Sequence, residues 1–121
     1  MATVKLIGPH ERATRASSSE IAKYLQELLG QKLTALIAGV QDPKAVGEWA
    51  RGKRQPQPDA EQHLRAAFQI AEILLQAEAP QTVRAWFVGM NPFLEDRSPA
   101  LVIAEGDAVR VMQAARAFLA G

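Results

Sequence analysis

Along most of this chain apolar residues return every three or four positions, the period of a helix with one buried face. Ile21, Leu25 and Leu28 form the first such stripe. Ser17 and Glu20 ahead of it have capping-box spacing, and Gly30 stands behind it as a stop. A second, shorter helix reads through Leu33, Leu36 and Ile37 to Gly39. Asp42 caps a third, with Pro43 at its first position, where a missing N–H costs nothing. Val46, Trp49 and Ala50 are its buried stripe and Gly52 its end. Asp59 and Gln62 make another capping pair, opening the longest predicted helix, Ala60 to Glu78.

The polar residues of that helix, Glu61, Arg65, Gln69, Glu72 and Gln76, step by fours and threes. They predict one narrow wet stripe on a cylinder otherwise lined by Leu64, Phe68, Ile70, Ile73, Leu74 and Leu75. A helix so poor in polar surface must be covered on several sides. It is therefore expected between its neighbours or in a dimer seam. After Pro80 a short helix runs to Gly89 and an Asn91-Pro92 turn follows. Ser98 caps another short helix with Pro99 first, and Asp107 caps the last, in which Ala108, Val111, Met112, Ala115 and Leu119 share a face.

The expected fold class is all-α, either one compact unit or two small modules sharing a core. Its segments are an N-terminal arm over 1–16, a helical bundle over 17–58, a connecting helix over 59–79 and a small helical domain over 80–121. Within the arm, Thr3 to Ile7 reads as a short strand or simply as extended chain.

Composition narrows the chemistry. With 48% hydrophobic and 22% charged residues, the 121-residue chain is an ordinary globular sequence. It contains no cysteine, which removes disulfides and thiolate metal sites and fits a reducing cytoplasm. His10 and His63 are too far apart for a familiar ligand spacing, and no glycine loop of the phosphate-cradling type occurs. Glu95, Asp96, Glu105 and Asp107 fall at turns and helix starts, where capping and solvation explain them. Ser17 to Ser19 have no histidine partner beyond His10. Neither catalysis nor a cofactor is expected. No signal-peptide core and no apolar run near the ~20 residues of a bilayer span is present. The expectation is a soluble cytoplasmic protein without a membrane partner.

The net charge of +1 conceals an asymmetry. From Gln31 to Pro58 five basic residues (Lys32, Lys44, Arg51, Lys53, Arg54) meet two acidic ones, Asp42 and Glu48. In the same stretch Leu33, Ala35, Gly39 and Val40, followed by Asp42-Pro43, Val46, Trp49 and Gly52-Lys53, resemble the second and third helices of Xre-type helix-turn-helix domains. Small Ala35 lets the two helices cross closely, and Val46 and Trp49 seal the angle between them. The resemblance implies that the opposite face of the third helix enters the major groove of operator DNA. That face carries Lys44, Gly47, Glu48 and Arg51, with Gln41 and Asp42 leading and Lys53 and Arg54 near phosphates. The DNA-contacting set is thus Gln41, Lys44, Glu48, Arg51, Lys53 and Arg54. The turn is one residue longer than the family's usual one, and Glu48 is repelled by phosphate unless it reads a cytosine amino group.

A second resemblance covers Val83 to Leu119. Trp86, Asn91-Pro92, Leu94, Arg97, Pro99, the apolar run Ala100 to Ala104, Gly106 and Val109 to Leu119 are similar to the toxin-binding domain of Xre/MbcA/ParS-type antitoxins. Together the two resemblances span about two-thirds of the chain, in the family's order. They imply a bacterial antitoxin that represses its own operon. Its partner would be a RES-domain toxin that consumes NAD or transfers ADP-ribose from it. The C-terminal end Arg116 to Gly121 suits a cleft evolved for an anionic dinucleotide. The toxin-contacting set is Phe93, Arg97, Arg116, Phe118, Leu119 and Gly121, in a homodimer or larger toxin complex. The alternative function is a stand-alone helix-turn-helix repressor with a dimerising C-terminal domain.

Overall fold

Helix α1 (Ser18–Leu29) begins where the capping pair placed it. The Glu20 N–H donates to Ser17 Oγ at 3.1 Å, and the Ser17 N–H donates to the Glu20 carboxylate at 2.8 Å. Two otherwise orphaned donors are thereby satisfied. In the computed structural model, Gly8 and residues 16–121 are described. The expected strand or arm around Thr3 to Ile7, and His10, lie outside the described residues.

Gly30 ends α1 and starts α2 (Gln31–Ala38) with φ +87°, a single-residue hinge that a side chain would strain. At the other end of α2, Gly39 is left-handed. The Val40 and Gly39 N–H groups return to Ala35 and Leu36 carbonyls, a Schellman closure. Helix α3 (Lys44–Ala50) starts one residue later than the sequence predicts, so Pro43 and not Asp42 holds the cap position, and Asp42 Oδ1 accepts the Lys44 N–H at 3.0 Å from one residue further out. Gly52 (φ +73°) closes α3 in the same manner as Gly39 closes α2, with the Lys53 N–H on the Glu48 carbonyl.

Helix α4 runs over Pro58–Leu75 and not over Ala60 to Glu78. Pro58 occupies the first helical position, where its fixed φ already suits a helix, so Asp59 falls inside the first turn and caps nothing. The following elements are α5 (Pro80–Val88), a 3₁₀ turn (Pro92–Leu94), α6 (Pro99–Ala104) and α7 (Ala108–Ala120). Ser98 and Asp107 cap α6 and α7 as expected. The fold is all-α, with no strand among the described residues.

Helix α4 is the axis of the molecule, packing against α1, α2, α5, α6 and α7. Leu64, Ala67, Phe68, Ile70, Ala71 and Leu74 are buried on it within this one chain. Within this one chain α4 thus lies between its neighbours, the first of the two placements its sequence allowed. The buried residues form one cluster from Ile21 to Ala115, so the N- and C-terminal segments share a core.

The wet stripe of α4 is also not what its spacing indicated. Glu61 accepts from the Ser18 hydroxyl at 2.7 Å and from Arg65 Nε at 2.9 Å, while Arg65 Nη1 donates to the Ala16 carbonyl. About two turns beyond Arg65, the Tyr24 hydroxyl donates to Glu72 at 2.6 Å, and its ring meets Phe68 edge-on at 4.6 Å. Glu61, Arg65 and Glu72 of the stripe form a half-buried polar seam that fastens α1 to α4, while Gln76 is exposed at the end of the helix. On α2, Leu36 is 44% exposed and Thr34 is buried in its stead, its hydroxyl 2.7 Å from the Gly30 carbonyl and 3.2 Å from that of Leu25.

Candidate nucleic-acid and partner interfaces

Helix α3 is held from behind. Val46 and Trp49 are buried against α1 and α2, and the Ser19 hydroxyl of α1 donates to the Ala50 carbonyl at 2.9 Å. The Trp49 indole N–H has no hydrogen-bond partner among the described residues. With those residues turned inward, a 100° step per residue puts Lys44, Gly47, Glu48 and Arg51 on the outward face.

Gln41, Lys44, Arg51, Lys53 and Arg54 are all exposed around α3 and its flanking turns. Glu48, the discordant acid, accepts from Arg54 Nη1 at 2.9 Å. Its charge is thus met within the protein before any polyanion arrives. Lys44, Arg51 and Lys53 make no ion pair among the described residues.

Gly47 does not lie open on that face; it is buried. Gln31 Nε2 donates to Gln26 Oε1 at 2.7 Å, and this amide pair, with Arg51, covers the glycine. Sequence reasoning missed both glutamines. The available signal was Gly47 itself, a helix-interior glycine that no turn requires.

At the other end of the molecule, Trp86, Met90, Asn91, Pro92, Phe93 and the α7 residues Ala114, Ala117 and Phe118 line an apolar groove of about 450 Å³. The Asn91 side chain shapes its rim by accepting the Phe93 N–H at 2.9 Å. Asn91 and Arg97 close the turn through a backbone bridge. Glu95 and Asp96 inside the turn are both left-handed, with φ 59° and 65°. Met90, Phe93 and Phe118 are 81%, 49% and 42% exposed, and Phe118 leans on Trp86 with ring centroids 6.3 Å apart.

The structure brings together only part of the expected toxin-contacting set. Phe93 and Phe118 share the groove. Leu119 is half-buried, packed against the core, and does not line the groove. The 100° step places Arg116 beside Val109 and Gln113, away from Phe118. Arg97 is tied to the Glu105 carboxylate, whose hydrogen bond holds the guanidinium pKa above its ordinary value. Gly121 is exposed past the end of α7. The guanidinium on the groove side is Arg110, not Arg116, with Nη2 3.4 Å from the Phe93 carbonyl and Nη1 3.9 Å from Glu95.

His63 sits between α4 and α2 with Nδ1 3.1 Å from the Ile37 carbonyl. Among the described residues no cluster of histidine, aspartate and glutamate has the makings of a metal site. No described helix is long and apolar enough to cross a membrane. No family model, no curated protein and no solved structure matches the chain.

Proposed function

We propose that this chain is a cytoplasmic DNA-binding antitoxin. In this reading α2 and α3 act as a helix-turn-helix on operator DNA, and the groove between α5 and α7 grips a RES-domain toxin encoded beside it. The observation that carries the reading is that one core presents two exposed surfaces of opposite character. The first is cationic: Lys44, Arg51 and Lys53 make no ion pair among the described residues, and Arg54 cancels Glu48. Three phosphate contacts per chain make affinity fall by about 500-fold for a tenfold rise in salt. The second is aromatic, and Trp86, Phe93 and Phe118 are the residue types that anchor protein partners in desolvated pockets. Arg110 takes the role first given to Arg116.

The test uses two double variants. Arg51→Glu with Lys53→Glu is expected to abolish retention of the chain's upstream DNA while leaving protection from the neighbouring toxin intact. Phe93→Asp with Phe118→Asp is expected to do the reverse. Unchanged DNA retention by the first variant refutes the assignment of α3, and full protection by the second refutes the groove. DNA binding with no capture of any neighbouring protein makes the chain a stand-alone repressor.

A further inference from the structure

Three polar side chains, one from α1, one from α2 and one from the residue that closes α3, converge on one point of α3. If Gly47 carried a Cβ, Gln31 Nε2 would lie 2.9 Å from it, Arg51 Nη1 3.2 Å and Gln26 Oε1 3.7 Å. The backbone there has no left-handed φ, so conformation does not demand glycine, and glycine weakens a helix interior. What the missing side chain leaves is a seat. The Gln31 amide occupies it, standing on the outward face between Lys44 and Arg51 where α3 sends out no side chain of its own.

We infer that the Gln26–Gln31 pair is the base-reading element of the DNA interface, with Gln31 presenting its amide to an adenine edge in the major groove. A glutamine amide has two N–H donors and one carbonyl. One N–H is spent on Gln26 at 2.7 Å, which leaves an N–H and the carbonyl. That remaining donor and acceptor match adenine N7 and N6. The bond to Gln26 also orders a flexible side chain before DNA arrives, so less rotamer freedom is lost on contact. Arg51, beside the amide, supplies a cation for the adjoining phosphate or guanine.

This inference rests on the DNA-binding reading above, and the experiment separates the two. The full chain, Gln31→Ala and Gln31→Glu are each used to select bound duplexes from a randomised pool at low salt. The wild-type chain is expected to enrich an adenine at one fixed position. Gln31→Ala is expected to lose that preference, a discrimination of about 5- to 150-fold, while still retaining random duplex. Gln31→Glu keeps the shape but only accepts hydrogen bonds, so its preference is expected to move from adenine to cytosine, which offers an amino donor. Gln31 is exposed, and superimposable thermal melts of the three proteins serve as the folding control. Enrichment of the same sites by all three proteins overturns the inference and leaves the DNA-binding reading standing. A wild-type chain that retains no duplex overturns both.

Discussion

Replacing Gly47 by alanine sets folding against recognition. In a helix interior the change from glycine to alanine is worth about 1 kcal/mol in favour of folding. The new methyl meets Gln31 Nε2 at 2.9 Å and Arg51 Nη1 at 3.2 Å, both at the ends of flexible side chains that can swing away. The amide bond between Gln31 and Gln26 is exposed, and losing it costs about 0.5 kcal/mol. The balance is a gain of about 0.5 kcal/mol, a rise in Tm of about 2 °C for a chain of this size. The same methyl evicts the amide from its seat, so preference at the adenine position is expected to fall as it does for Gln31→Ala. Far-UV circular dichroism melts and duplex selection on one preparation measure both effects. A drop in Tm of several degrees would show that the three side chains are rigidly packed. A rise in Tm with unchanged selectivity would show that the seat plays no part in reading DNA.

Three further outcomes are expected. Glu61 is held below the usual carboxylate range, chiefly by the Ser18 hydroxyl and then by Arg65. A depressed folded pKa stabilises above the unfolded value, about 4.3, and that contribution is lost as pH falls through the folded one. Ser18→Ala should therefore lower stability at neutral pH by about 1 kcal/mol and flatten the acid-side loss in denaturant titrations; an identical pH profile would rule the seam out as its source. Asp96→Gly relieves a left-handed residue at φ 65° and should stabilise by about 0.5 kcal/mol in the same titrations, whereas destabilisation would mean that the aspartate side chain supports the turn. Thr34→Val removes the hydroxyl that bridges the end of α1 to α2 and should cost about 1 kcal/mol, with no loss if that hydroxyl is energetically idle.

What proved legible in the sequence was local. Ser17, Ser98 and Asp107 cap within three residues of themselves, and Gly30, Gly39 and Gly52 take conformations that few other residues tolerate, so both kinds of boundary are written beside the helix they end. Pro58 misled because two start signals stood side by side, and the proline supplanted the aspartate. The polar stripe of α4 looked like a solvent face because spacing reports which residues share a side and not what lies opposite. Ser18 and Tyr24, supplied by another helix, made it a seam. The exchange of Leu36 for Thr34 at the buried position of α2 has the same origin, since the Leu25 carbonyl that the hydroxyl meets belongs to α1. At the candidate sites, the cations around α3 were legible as a charge cluster. The Gln26–Gln31 pair was not, because it joins two helices over a third. Arg110 and Arg116 are alike in sequence, and only the packing of α7 turns one of them toward Phe93.

The two tryptophans give the molecule a pair of built-in optical labels. Trp49 is 2% exposed beneath the cationic face, and its N–H has no partner among the described residues. It should emit towards the blue and be inaccessible to an aqueous quencher such as iodide. Trp86 is half-buried on the rim of the groove beside Phe118 and should emit further to the red and be quenched. A ligand that settles into the groove would shield Trp86 and shrink the quenchable fraction of the light. A polyanion that settles on α3 would leave that fraction unchanged. Occupancy of the two surfaces can thus be followed separately in one cuvette, on the unmodified chain.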